Sequence, residues 1–297
     1  MRSRAMFCIA LVPLLAACEG SVSRGDGSIA PDRRGGEQVV QDQGPASERP
    51  VFEAGTPDVA PPDAPGGPVY DGKPGEFVKT ASGRTYRLLV PAGYQSQQAI
   101  PLLVGFHGAG DTGANFYAIC KSVGWAAAAA PASFVLLVPD TKSPYQDFAI
   151  WTGNPLNDIP QMKQEMSEIV AIIGDIGTHY HLDLKQIHAF GFSDGGLFTA
   201  IAGLDRASYF ASLAVMGYGW GSSYPGVSPP RKIAVQFVVG SSDSFASYVS
   251  ASEAYLAAQG HATRKLVAAS VGHSFSGLMQ SFPPTSIFGW MQQHPLP

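Results

Sequence analysis

The sequence predicts an α/β protein, with a mostly parallel sheet and helices on both faces. Three observations carry this. From about residue 76 onward, strand and helix signals alternate. Several strands read as continuous apolar runs, as they must when both faces of a parallel sheet are covered. A Gly191-Phe192-Ser193-Asp194-Gly195 turn then joins one such strand directly to a helix.

Taken in order, 86–90 is a strand entered through the turn 81–84. Residues 100–106 are a buried strand and 115–130 a helix. The run 134–138 is a second buried strand, stopped by Pro139. A long helix follows from Asp158, its N-cap, with Pro160 just inside, to about Tyr180. Its residues Ile159, Met162, Met166, Ile169, Ile173 and Ile176 recur every three or four positions and form one apolar face. Residues 186–192 are a strand and 195–204 a helix. Further strands fall at 211–216, 233–239 and 265–269, and further helices at 244–258 and 286–293. Parallel sheets of this kind place their sites at the carboxyl ends of the strands.

The first 75 residues have a different texture. Arg2 and Arg4 precede an apolar stretch over 5–15, which is too short to cross a bilayer as a helix and fits an export signal. Leu15-Ala16-Ala17-Cys18 then resembles a bacterial lipobox. That resemblance implies cleavage before Cys18 and lipidation of that residue, so the expected domains are a signal over 1–18, a tether over 19–75 and a catalytic domain over 76–297. Of the chain's Gly and Pro residues, 20 lie within 19–75, a composition that buries too little apolar surface to fold. A coil of that length spans about 40 Å root-mean-square, so the tether lets the domain sample the space above a membrane. The expected location is outside the cytoplasm, lipid-anchored at the periplasmic or cell-surface side of a bacterial membrane.

Net charge is −4 and there is no Lys/Arg-rich run, so the footprint of a nucleic-acid binder is missing. The chain has three cysteines; with Cys8 in the signal and Cys18 lipidated, Cys120 stands alone without a disulfide partner. Its neighbours read as a helix packing face, which makes it a buried structural thiol. No metal-ligand cluster or dinucleotide fingerprint is present, so no cofactor is expected. His179 and His181 read as residues of a helix end.

The chemistry centres on Ser193. A strand-to-helix turn this tight needs glycines around it, because the serine sits in a strained backbone conformation. A serine hydroxyl needs a base, and the base needs an orienting acid. In this architecture the chain order is Ser, then Asp or Glu, then His. His261 lies in a polar turn and His294 is almost at the end. His273 follows a late strand directly, as a projecting base should. Asp243 follows the strand 233–239 in the same way, whereas Asp194 and Asp205 are too close to Ser193 and Glu253 is mid-helix. The oxyanion needs backbone donors. One is the N–H of Asp194; the other comes from the turn Phe106-His107-Gly108-Ala109-Gly110, assigned to Ala109 with Gly108 or Gly110 as substitutes. His107 reads as a structural residue of that turn, and the Asp194 carboxylate as a first-turn helix acid pointing away.

Two patterns, His107-Gly108-Ala109-Gly110-Asp111-Thr112-Gly113 and Gly191-Phe192-Ser193-Asp194-Gly195-Gly196, together resemble the carboxylesterase and acyl-thioesterase branch of the α/β-hydrolases. The stretch from Gly83 to Tyr94, followed by an apolar strand and a His-Gly turn, resembles the exported polyhydroxyalkanoate depolymerase and feruloyl esterase branch. The resemblance covers about 78–292. It implies a serine esterase working through an acyl-enzyme on a small or polymeric ester. A serine peptidase on the same fold and a non-catalytic binding lipoprotein remain as alternatives. The interval 217–231 is too short for a lid domain, so an open cleft is expected, lined by Trp151, Tyr218, Trp220 and Tyr224.

Overall fold

The computed structural model describes residues 69–130, 133–142, 151, 159–223 and 226–297. The predicted N-cap Asp158 and the predicted cleft residue Tyr224 lie outside this set. Eight strands form one sheet: β1 (Gly75–Ala81), β2 (Arg84–Val90), β3 (Ile100–Phe106), β4 (Val135–Pro139), β5 (Leu182–Phe192), β6 (Ser212–Met216), β7 (Ala234–Gly240) and β8 (Thr263–Ala268). Their spatial order is β1-β2-β4-β3-β5-β6-β7-β8. The strands β3 to β8 run parallel, whereas β2 is antiparallel to both β1 and β4. This is the α/β-hydrolase fold that the sequence predicts.

The helices are α1 (Gly113–Ser122), α2 (Trp125–Ala129), α3 (Ile159–His179), α4 (Asp194–Asp205), α5 (Ala246–Ala258), α6 (Phe275–Ser281) and α7 (Pro284–Met291). They divide between the two faces. Apolar residues of α3, α4 and α5 bury one face, and those of α1, α2, α6 and α7 bury the other. The central strands β4, β6 and β7 are buried at every position, which explains their unbroken apolar sequences. No helix among the described residues is long and apolar enough to cross a membrane.

Several expectations need correction. The helix expected over 115–130 is two helices, α1 and α2. Gly124 between them adopts a left-handed φ of +101°, a conformation that ends a helix and favours glycine. The strand β1 was not foreseen. It is an edge strand of alternating exposure, and it pairs with β2 through a two-residue turn in which Ser82 and Gly83 both have positive φ. The helix α6 was also missed; it is only seven residues long and is capped by the Ser274 hydroxyl, which accepts from Gly277 N–H at 3.2 Å. Residues before 76 also contact the sheet's helices and loops: Tyr70 stacks on His181 at 4.7 Å, and Gly72 N–H donates to His179 O.

Candidate active site

The strand β5 runs out at Phe192, and α4 begins at Asp194. Ser193 between them has φ 58° and ψ −117°, a conformation that costs a non-glycine residue about 1–3 kcal/mol. The crowding around it shows why the flanking glycines are required. A Cβ on Gly191 would sit 2.1 Å from Gly195 O, and one on Gly195 would sit 2.1 Å from Phe106 O. Ser193 N–H donates to Met216 O at 2.9 Å, which ties the turn to the end of β6. The hydroxyl therefore stands at the carboxyl edge of the sheet, at the N-terminus of α4.

Asp243 and His273 reach this hydroxyl from the ends of β7 and β8. Asp243 Oδ1 accepts from Phe245 N–H at 2.9 Å, and Oδ2 pairs with His273 Nδ1 at 2.8 Å. The carboxylate can only accept, so His273 Nδ1 carries the proton. That leaves Nε2 as the acceptor for Ser193 Oγ, 2.8 Å away. The Asp243 side chain is fully buried, whereas that of His273 is 37% exposed. The acid is thus shielded from water, whereas the imidazole and Ser193 are each partly exposed. Phe192 and Phe245 hold the imidazole between them, with ring centroids 4.7 and 5.7 Å away. Neither phenylalanine was singled out from sequence, although each lies within two residues of a residue that was.

The turn after β3 approaches from the other side. A Cβ on Gly108 would lie 3.4 Å from Ser193 Cβ, so this turn passes directly beside the serine. Ala109 is exposed at its tip. His107 is fully buried, donates through Nδ1 to Gly108 O at 2.9 Å, and has its pKa depressed by burial. These contacts turn its ring into the protein beside the turn. Thr112 caps α1, its hydroxyl accepting from Asn115 N–H at 3.2 Å, and Asp140 Oδ1 accepts from Gly113 N–H at 2.6 Å.

The aromatic residues expected to line a cleft divide. Trp151 does not line one: it is fully buried, stacked on Phe198 at 4.7 Å and edge-on to Phe106 at 5.1 Å. Its size and its indole N–H are satisfied inward, where the aromatic side chains of β3 and α4 leave a matching space. Tyr218 is half-buried beside Phe245 at 5.3 Å, and burial followed by the Asp194 charge pushes its hydroxyl up to about 12. Trp220 is half-buried against Phe237 at 5.6 Å. The Asp194 carboxylate accepts from Trp151 N–H at 2.7 Å. Cys120 is buried, and desolvation raises its pKa well above the ordinary thiol value, so it is held as the neutral thiol. No cluster of metal-ligating side chains occurs among the described residues.

No protein-family model and no curated protein matches the chain. Solved structures do. A thermostable esterase superposes with a TM-score of 0.56 at 20% identity, covering 74% of this chain; the chain spans only 62% of that esterase's length. A carboxylesterase from Mesorhizobium loti gives 0.56 at 18% identity, covering 73% of this chain and 98% of that one. A ferulic acid esterase from Anaeromyces mucronatus gives 0.54 at 14% identity, covering 74% and 89%. At these identities the likeness establishes the α/β-hydrolase fold.

Proposed function

We propose that the chain is a serine hydrolase of carboxylic esters. The observation that carries this is the unbroken hydrogen-bonded path from Asp243 through His273 to the hydroxyl on the strained turn, with 2.8 Å at each step. The esterases that share the fold support it. In this reading Ser193 Oγ attacks the ester carbonyl carbon and His273 Nε2 takes the hydroxyl proton. The carbonyl oxygen becomes an oxyanion, held by the N–H groups of Asp194 and Ala109. Collapse of the intermediate breaks the bond to the alcohol, which leaves with the proton from His273. Water then attacks the acyl-serine by the same route in reverse. Asp243 orients the imidazole and stabilises its cationic form. We further propose that the protein is exported and lipid-anchored through Cys18, with 19–75 as its tether; the support is the order of charged, apolar and small residues before Cys18.

The test is hydrolysis of p-nitrophenyl esters from C2 to C12 by the wild type and by Ser193→Ala. Turnover that falls roughly 10⁴-fold or more in the variant supports the reading, and the chain-length optimum sizes the acyl pocket. A folded wild type with neither turnover nor fluorophosphonate labelling at Ser193 refutes it and leaves a binding protein.

A further inference from the structure

We propose that Trp151 is a positioning residue that locks together the two halves of the oxyanion-binding site, with Asp194 as its anchor. The inference rests on the reading of Ser193 as the nucleophile. Trp151 reaches both halves at once. Its main-chain N–H donates to Asp194 Oδ2 at 2.7 Å, and its indole Nε1–H donates to His107 O at 2.9 Å. Asp194 supplies one oxyanion donor through its own N–H. His107 O belongs to the first peptide of the turn that supplies the other.

The ring repeats the same bridge. It stacks on Phe198 of α4 at 4.7 Å and meets Phe106 of β3 edge-on at 5.1 Å, so it touches both elements that carry the donors. On a further side the Arg84 guanidinium lies 5.6 Å from the ring centroid. Fixing His107 O fixes the plane of the His107–Gly108 peptide, and through it the direction of the N–H groups that follow. The elbow leaves that turn no slack, because a Cβ on Gly195 would be 2.5 Å from His107 O. The arrangement also accounts for an acid next to a developing oxyanion. The Asp194 carboxylate is occupied by a main-chain N–H and lies in the first turn of α4, where the helix dipole favours it. Its charge serves the anchor instead of opposing the reaction.

The test uses p-nitrophenyl acetate and an aryl trifluoromethyl ketone, whose adduct with a serine places an oxyanion in the same site. Trp151→Phe keeps a ring on Phe198 and removes the donor to His107 O. We expect kcat to fall about 10- to 100-fold, the range for a small misplacement of a reacting geometry, with KM within about threefold. Affinity for the ketone should fall by the same factor as kcat, a change that a purely structural role does not produce. Asp194→Ala should behave likewise, and Asp194→Asn, which keeps an acceptor for Trp151 N–H, should lose at least tenfold less. A folded Trp151→Phe with wild-type kcat and ketone affinity overturns the proposal. If that variant does not fold, the Asp194 pair decides, and equal losses in Asn and Ala overturn it. Wild-type protein with no turnover and no fluorophosphonate labelling removes the underlying esterase reading instead.

Discussion

The two flanks of Ser193 are built by different means. On the flank of β7 and β8, the main chain does most of the holding. Ser241 N–H donates to Ala268 O, Ser242 N–H to Val271 O and Asp243 N–H to Gly240 O, at 2.8 to 3.1 Å. The loops are so close that a Cβ on Gly240 would sit 2.0 Å from Val271 O. On the flank of β3 and β4, side chains add a larger share to main-chain bonds such as Asp140 N–H to Thr85 O. Trp151 holds His107 O, and Asp140 holds the start of α1. Arg84, fully buried, ties Asp140 O to Glu165 and Glu168. A loop held by its main chain tolerates changes of side chain, whereas a loop held by side chains transmits them.

The largest effect that tests this contrast is at Asp243. Asp243→Asn should lower kcat roughly 10⁴-fold, because the imidazole loses its orienting carboxylate. Thermal unfolding should stay within a few degrees of wild type, since the loop's main-chain bonds are untouched. A variant that loses its fold would show that the carboxylate, and not the main chain, holds this flank.

On the other flank, Glu165→Gln should show the opposite balance. It leaves the Arg84 cation buried with a weaker partner, and breaking a buried pair costs roughly 3 kcal/mol. Urea unfolding should detect that loss. Because Arg84 lies against Trp151, kcat should also fall severalfold, although Glu165 reaches Trp151 only through Arg84. Stability equal to wild type would mean that Glu168 and Asp140 O hold Arg84 by themselves.

The same contrast governs what was legible in the sequence. Ser193 could be read because its constraint is local: the glycines that crowd the turn are its immediate neighbours. Asp243 and His273 could be placed because strand ends are legible and parallel strands bring their carboxyl ends to one edge. Trp151 could not be read, because its partners His107 and Asp194 are 44 and 43 residues away and no periodic pattern points to them. Arg84 looked like a turn residue, and its burial depends on α3, whose Glu165 is 81 residues on. The strand β1 was missed because half of it faces water, so it lacks the apolar run that marks the central strands. The break between α1 and α2 was missed because a single glycine inside a helical pattern does not announce its sign of φ.

The smallest effect separates acid sensitivity of the fold from that of the site. The turn flank carries His107, buried and depressed in pKa by desolvation, and β5 itself carries His188, whose pKa desolvation lowers to about 3. His188 is satisfied as a neutral ring: Nε2–H donates to Gln186 Oε1 at 2.7 Å, and Nδ1 accepts from Ser212 Oγ at 2.8 Å. In the unfolded chain such a histidine takes up a proton below about pH 6.5, but in the native protein it does not until near its depressed value. The native state is therefore favoured fully above that pH and loses stability as pH falls, by up to about 1.4 kcal/mol per pH unit for each such histidine. From pH 6.5 to 5 this amounts to about 2 kcal/mol for His188 alone. Urea unfolding across pH 5 to 8 should show the fall in the wild type and a shallower slope in His188→Gln. Activity, which the proposed mechanism routes through His273, should keep an unchanged pH profile in that variant wherever the protein remains folded. A shifted activity profile would mean that β5 passes the charge state of His188 to Ser193, and the two flanks would then share an electrostatic link that their separate construction does not require.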